Sequence, residues 1–339
     1  MRVLIIKLTS MGDVIHVLPA ITDASNAIPE IEFDFVVEES FQQIPAWHNN
    51  VQQIIPVASR RWRKNIVSSK RQIFSVIKQI RSKNYDLIID AQGLGKSALI
   101  AFLAKGQRHG YDKESIRESF ASYFYQKGHK VDKKLHAIDR IRTLFAHSLH
   151  YEVDFAELNY GISTKQFPES VLFSDELQQR IQKPYYMFLH GTTWKAKEWP
   201  EASWIDLARK IQDQNQQVFI PWGNDLELAR AKRIAKTIQN AYVLPKLSIA
   251  EIGRLIAMAK AIVAVDTGFG HLSAALAKPT INIYGPTDTN LIGSRGLNQV
   301  HLCANDHPNW QAIKKNESFD YARISADLVF DRLQQQDSA

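Results

Sequence analysis

Short apolar runs alternate with stretches of helical periodicity along this chain, and the alternation occurs twice. In the first series Arg2–Leu8 (RVLIIKL) reads as a buried strand, and Asp13–Ala27 follows as a helix with Val14, Val17, Leu18 and Ile21 on one face. Phe33–Val37 and Gln53–Val57 are the next strands, 71–83 a helix, 85–90 (YDLIID) a strand, 97–104 a helix and 135–149 a longer amphipathic helix. Residues 151–180 lose the rhythm and read as a linker, with Gly161 and Pro168 among scattered polar residues. The second series runs through strands 186–190, 217–221, 241–244, 261–265 and 280–284, separated by helices 201–214, 225–238, 248–259 and 269–277. Ser248 with Glu251 three residues on forms a capping box. One more amphipathic helix covers 321–336. Repeated strand–helix alternation requires parallel sheets with helices on both faces. The chain is therefore α/β, with two doubly wound domains. Such sheets bind ligands at the carboxyl ends of their strands, and two facing domains would put the site in the cleft between them.

The length of 339 residues agrees with two domains, each large enough to bury a core. The one cysteine, Cys303, excludes an internal disulfide and a Cys-rich zinc site, and suits a reducing cytosol. The N-terminal apolar run, interrupted by Lys7 and closed by Met-Gly-Asp, is too short for a signal-peptide core. Apolar stretches such as Ala98–Ala104 fall short of the roughly 20 residues that a membrane span needs. Lys and Arg number 42 against 35 Asp and Glu, a net charge of +7 that asks for an anionic partner: nucleic acid, a phosphate-rich substrate or anionic lipid.

Six strand ends are candidates for chemistry. Lys7–Asp13 (KLTSMGD) joins the first strand to the first helix and offers a platform for an anion or substrate. It has one glycine where the dinucleotide fingerprint needs three. Asp13 reads either as a first-turn helix acid or as a general base. Gly93–Ser97 (GLGKS) resembles the end of a P-loop, but Asp90 stands where that pattern needs its first glycine. Val265–His271 (VDTGFGH) ends a buried strand in Asp266, Thr267 and Gly268, and starts a helix whose free N–H groups suit a diphosphate. His271 lies one turn on. The alternative there is an Asp–Thr cap with a structural histidine. Tyr284–Asp288 ends a further strand on the same rim. His190–Thr193 with Lys197 offers hydroxyls and an ammonium to phosphate oxygens, or is a turn before a helix starting at Pro200. Glu227, after Pro221–Gly223, reads as a ribose acceptor or as a first-turn helix acid. No His or carboxylate pair has metal-ligand spacing.

Residues 40–85 contain no Asp or Glu but nine Lys or Arg, four of them in Arg60–Lys64 (RRWRK). That cluster reads as a solvated loop or as a grip for carboxylates and phosphates. Residues 1–170 hold 23 basic and 18 acidic residues, net +5, and residues 171–339 hold 19 and 17, net +2. The excess charge thus lies mainly in the first half.

The segments MRVLIIKLTSMGDVIHVLPAITDA, VVEESFQQIPAWH, IPVASRRWRK, YDLIIDAQGLGKSA, LPK and VDTGFGHLSAALAKPTINIYGPTD together resemble the ADP-heptose:lipopolysaccharide heptosyltransferases of glycosyltransferase family 9, in particular the heptosyltransferase I branch. The resemblance spans essentially the whole chain. It implies the GT-B architecture: Rossmann-like domains over 1–170 and 171–320 facing a central cleft, and a C-terminal helix in 321–339 packing back on the first. It implies an inverting transfer from ADP-L-glycero-β-D-manno-heptose to the Kdo residue of Kdo2-lipid A, by a cytoplasmic monomer held peripherally on the inner membrane, with no cofactor, metal or nucleic acid. Asp13 would be the base. Thr192, Thr193 and Lys197 would hold the diphosphate, and Asp266, Thr267, Gly268 and His271 would surround phosphates and sugar. Glu227 would meet the ribose, and Leu247 the adenine, where the family often has methionine. Arg60, Arg61, Arg63 and Lys64 would dock the acceptor. Between the threonines and Lys197, where relatives carry acids, this chain has Lys195. The rival readings are a type II or III enzyme with a different core acceptor, and a non-catalytic nucleic-acid-binding protein, for which no motif is recognisable.

Overall fold

The computed structural model describes residues 1–169, 173–305 and 316–337. The chain forms two compact units, Met1–Gln166 and Phe167–Ala339, a boundary slightly earlier than the sequence suggests. The first unit holds β1 (Arg2–Ile6), β2 (Glu32–Glu38), β3 (Val51–Val57), β4 (Asn84–Asp90), β5 (Lys105–Tyr111) and β6 (Lys127–His129). They pair in the order β3-β2-β1-β4-β5-β6, all parallel. The second holds β7 (Tyr185–Leu189), β8 (Gln217–Ile220), β9 (Ala241–Val243), β10 (Ala261–Val265), β11 (Thr280–Tyr284) and β12 (Gln299–Cys303), in the order β12-β11-β10-β7-β8-β9, again parallel.

Both sheets have the same topology. Numbered within each unit, the order is third, second, first, fourth, fifth, sixth. It reverses between the first and fourth strands, β1 and β4 in one unit and β7 and β10 in the other. Connections leave this point in opposite directions and open a crevice at the strand ends.

The central strands form because their side chains are covered on both faces: Val3–Ile6 and all of β7, β10 and β11 are buried. Strands rich in polar and half-exposed residues read poorly from sequence. β5 (KGQRHGY), β6 (KGH) and β12 (QVHLC) have no counterpart among the expected strands. The expected helix 13–27 is two helices, Met11–Ile15 and Leu18–Ala27. Pro19 stands in the first turn of the second, where its missing N–H is harmless, whereas mid-helix it would remove a hydrogen bond. The expected helix 71–83 starts earlier and runs Ile66–Arg81, because Asn65 Oδ1 caps it by accepting from Ser68 N at 3.1 Å.

The last helix, Ala326–Asp337, packs on the second unit. Val329 and Leu333, four residues apart on one face, are buried in the second unit's core with Trp204 and Leu207. The approach to this helix is also tied there. The Trp199 indole donates to Ile324 O at 3.0 Å, and the Tyr321 hydroxyl donates to Ala196 O at 3.0 Å. Among the described residues no helix is long and apolar enough to cross a membrane.

Candidate active site

In the second unit the ends of β7, β10 and β11 converge on one carboxylate. Asp266 follows β10, and its side chain is buried. Its Oδ2 accepts from Lys197 Nζ at 2.5 Å and from the Thr287 hydroxyl. The Thr192 hydroxyl donates to the Asp266 carbonyl at 3.1 Å. Burial alone would raise the Asp266 pKa. The Lys197 ammonium, then His271 and the two hydrogen bonds, outweigh it and hold the carboxyl below its ordinary range. Thr267 is extended and begins the helix Gly268–Ala275, whose first turn has no side-chain cap. Its leading N–H groups carry the positive end of the helix dipole.

Glu227 belongs to the same rim. Its carboxylate accepts from Gly223 N at 2.6 Å and Asn224 Nδ2 at 2.8 Å, and lies against the turn after β7. A Cβ at position 191 would come within 2.8 Å of the Glu227 carboxyl carbon, so any side chain there would push the Glu227 carboxylate aside. Asn224 Oδ1 in turn caps the helix Asp225–Ala235 by accepting from Glu227 N. Leu247 is half-buried past β9, just before the helix Ile249–Met258, which carries the expected Ser248–Glu251 capping box. Beside it the Trp222 indole donates to Leu244 O at 2.7 Å, with the Lys246 ammonium 4.6 Å from the ring centre.

The structure thus gathers Thr192, Lys197, Asp266, Thr267, Gly268 and His271 at the ends of β7 and β10, with Glu227 alongside. Thr193 is exposed. Thr287, Trp222 and Lys246 are absent from the sequence-derived set. The strand end Tyr284–Asp288 was the one available signal for Thr287.

At the first unit's switch point, Asp13 is the third residue of the helix Met11–Ile15. Its Oδ2 accepts from Ser10 N at 2.7 Å and Ser10 Oγ at 2.8 Å, so the capping reading holds. Its Oδ1 faces the buried Lys7 ammonium at 3.7 Å. Lys7 also donates to Ala91 O at 3.1 Å. Gln92, which no sequence signal marks, accepts from Leu8 N at 3.0 Å and Thr9 N at 3.1 Å through one oxygen. The loop after β4 thereby holds the loop carrying Asp13. Asp90 is fully buried and accepts from Gln92 N, Gly93 N and the Tyr125 hydroxyl, the last at 2.8 Å. Burial raises its pKa against the lowering by these bonds and one from Ser97. The P-loop resemblance ends here. Gly95 N, at the helix start, already donates to the Glu118 carboxylate at 2.8 Å.

Arg60–Lys64 is not a loop but part of a short helix, Ser59–Lys64. Buried Glu38 anchors its start, accepting from Ser59 N, Ser59 Oγ and Arg60 N. Arg61 pairs with Glu39 at 2.9 Å. A stretch without acids in sequence is therefore supplied with two in space. Arg60, Arg63 and Lys64 are exposed and form no ion pair among the described residues. Nor do any three His, Cys, Asp or Glu among them converge as a metal site requires.

Comparison with known proteins separates the possible chemistries. The glycosyltransferase family 9 (heptosyltransferase) profile matches residues 73–322. This chain belongs to glycosyltransferase family 9. It is 47% identical to the lipopolysaccharide heptosyltransferase 1 of Salmonella typhimurium, over 90% of this chain and 94% of that one. The E. coli heptosyltransferase WaaC with ADP has a TM-score of 0.88 to it at 42% identity, covering 99% of this chain and 100% of that one. WaaC with ADP-2-deoxy-2-fluoro heptose has a TM-score of 0.84, covering 99% of each. The family 9 enzyme is thus a GT-B glycosyltransferase. For such chemistry its second unit has donors for phosphate oxygens, and its first has an accessible carboxylate.

Proposed function

We propose that this enzyme moves L-glycero-D-manno-heptose from ADP-heptose to the Kdo residue of Kdo2-lipid A in lipopolysaccharide core synthesis. The observation that carries the reading is the half-buried Lys197–Asp266 pair at the second switch point, beside an uncapped helix start. The pair has no net charge. Lys197 therefore acts as a directed hydrogen-bond donor to the leaving diphosphate, while the helix Gly268–Ala275 supplies the positive field. Thr192 and Thr193 line the same rim, Glu227 takes the ribose hydroxyls, and Leu247 lies by the adenine. With these groups on the diphosphate the transfer runs without metal or cofactor.

The acceptor hydroxyl attacks the anomeric carbon from the face opposite ADP. A new carbon–oxygen bond forms as the bond to the β-phosphate oxygen breaks, and that oxygen leaves with the electron pair. Asp13 takes the hydroxyl proton through Oδ1, since Oδ2 is engaged by Ser10. Arg60, Arg63 and Lys64, with Arg61 partly neutralised, hold the acceptor's carboxylates and phosphates. The enzyme works as a monomer on the cytoplasmic face of the inner membrane. The experiment is transfer from ADP-heptose to Kdo2-lipid A before and after exhaustive chelation. Transfer in both supports the reading. Transfer only to an already heptosylated core would overturn the acceptor, and a large loss on chelation would overturn the metal-free chemistry.

A further inference from the structure

We propose that the outer face of the helix Ile66–Arg81, continued by the helix Gly95–Leu103 and the turn Ser119–Phe124, is a docking surface for an anionic lipid bilayer. The proposal rests on the reading of a lipid-borne acceptor and deepens it by naming the face that meets the membrane.

At about 100° per residue, Val67, Lys70, Arg71, Phe74, Lys78 and Arg81 fall on one stripe of the helix. All six are exposed, while Ser69, Val76 and Ile80 on the other side are buried. Val67 is 74% exposed and Phe74 73%. The stripe holds four cations and no acid, and none of the four forms an ion pair among the described residues. Apolar side chains set among Lys and Arg are the pattern of a helix lying in a membrane interface.

The pattern extends beyond one helix. Helices Ile66–Arg81 and Gly95–Leu103 bury their inner faces in the same core, through Val76, Ile80 and Ala101, so they lie on the same side of the sheet. Arg81 donates to Leu103 O at 3.4 Å between them. The second helix exposes Lys96, Leu99 and Phe102, and the turn packed against it exposes Phe120 and Tyr123. Among the described residues, six of the twelve large exposed apolar side chains belong to these three elements, so they are not scattered singly.

The charge decides the occupant. A protein partner of this face would have to bring acids and an apolar surface together. A nucleic acid has no use for Val67, Leu99 or Phe102. An anionic bilayer satisfies both halves. The acceptor cluster adjoins this face, because Arg61 and Trp62 both donate to Gln72 of the long helix, at 3.0 and 2.9 Å. Cations assigned to the acceptor's head group thus stand next to the surface facing the bilayer that carries it.

The test is co-sedimentation of the full chain with vesicles of phosphatidylglycerol and phosphatidylethanolamine in equal parts, and with pure phosphatidylcholine. Wild type should bind the first, more weakly as salt rises, and bind the second poorly. Lys70→Glu with Lys78→Glu should lower partitioning at least about tenfold. Val67→Ser with Phe74→Ser should also lower it severalfold. Both variants should keep wild-type ADP affinity and turnover on a soluble, deacylated acceptor, which reports an intact fold. Should the serine pair fail to fold, the glutamate pair, on exposed positions, decides. Wild-type binding with undiminished binding by the glutamate pair would overturn this face and leave the membrane reading standing. No binding by wild type would overturn both. Variants that change self-association in sedimentation velocity, while vesicle binding stays intact, would make the face a contact between copies and overturn the proposal.

Discussion

Asp90 and Asp266 occupy matching places in the two units and are driven in opposite directions. Asp90 ends β4 and Asp266 follows β10, the fourth strand of each unit in the shared order. Burial is the leading influence on both, and on both it pushes the pKa upward. Asp90 has only uncharged partners, a tyrosine hydroxyl, a serine hydroxyl and two backbone N–H groups, and its pKa is raised. Asp266 has the Lys197 ammonium, and its pKa is lowered. The accompanying cation, not burial, sets the sign. The same topological crevice thus holds a carboxyl among uncharged partners in the first unit and a fixed ion pair in the second. The carboxylate at the first unit's switch point that stays accessible is Asp13.

The largest effect should come from separating these roles. Asp13→Asn should lower kcat by about 10²–10⁴-fold, the usual contribution of a general base. ADP affinity should not change, because ADP is assigned to the second unit. Steady-state turnover with calorimetric ADP titration reads both quantities. A near-normal rate would remove Asp13 as the base, and a parallel loss of ADP affinity would break the division between the units.

Lys197→Ala should come next. It leaves Asp266 buried without its counter-charge, at a cost of about 3 kcal/mol to the second unit in urea unfolding. ADP affinity should fall at least about tenfold with the lost donor, to which each hydrogen bond of a charged group contributes about 1.5–3 kcal/mol. The variant also converts the second switch point into a likeness of the first. The Asp266 carboxyl should then titrate above its ordinary range, as Asp90 does, and carboxyl carbon shifts across a pH series would show it. A carboxyl that stays low would mean that something other than Lys197 sets the sign.

Gln92→Leu should have a smaller effect of similar logic. It removes the one acceptor shared by Leu8 N and Thr9 N and loosens the loop that aims Asp13. A fall in kcat of about tenfold is expected, with KM for ADP-heptose unchanged, a size in keeping with about 1–3 kcal/mol for a polar group left unpaired. Gln92→Glu, which keeps an acceptor, should retain most of the rate. Equal loss in both variants would remove the positioning role.

The case of Gln92 shows where reading the sequence stops. Strands covered on both faces are legible because burial forces an uninterrupted apolar run, as in Val3–Ile6 and Ala261–Val265. Their last residues are legible for the same reason, and with them the positions of Asp266 and Asp13. β5 is hidden by its polar residues beside the edge strand. Gln92 is hidden because its partners lie 84 and 83 residues away and meet it only through the pairing of β1 with β4. Thr287 meets Asp266 only through the register of β10 on β11. The acid-free stretch fails in the opposite sense. Glu38 and Glu39 lie just outside it in sequence, yet one anchors the arginine helix and the other pairs with Arg61. Periodicity reports which residues are buried. Partners brought together by strand order leave no trace in it.

The smallest effect tests the contrast most directly. A carboxyl whose pKa is raised on folding, as at Asp90, holds its proton more tightly in the folded chain. Its contribution to stability is complete below the ordinary value of 3.8 and is lost as pH rises through the raised folded value. A lowered carboxyl, as at Asp266, contributes above its ordinary value, and that contribution is lost as pH falls through the folded one. At neutral pH the charge therefore works against folding at Asp90 and for it at Asp266. Asp90→Asn cannot ionise. Its Oδ1 keeps the N–H groups of Gln92 and Gly93, and its amide can donate to the Tyr125 hydroxyl, which turns from donor to acceptor. The variant should match wild type at neutral pH or exceed it by about 1 kcal/mol or less. It should also flatten the first unit's decline in stability between the carboxylate range and neutrality. Asp266→Asn should lose stability at neutral pH and converge with wild type only in acid. Urea unfolding of both variants at acid and neutral pH reads the two slopes, and slopes of the same sign would mean that burial, not the cation, governs both aspartates.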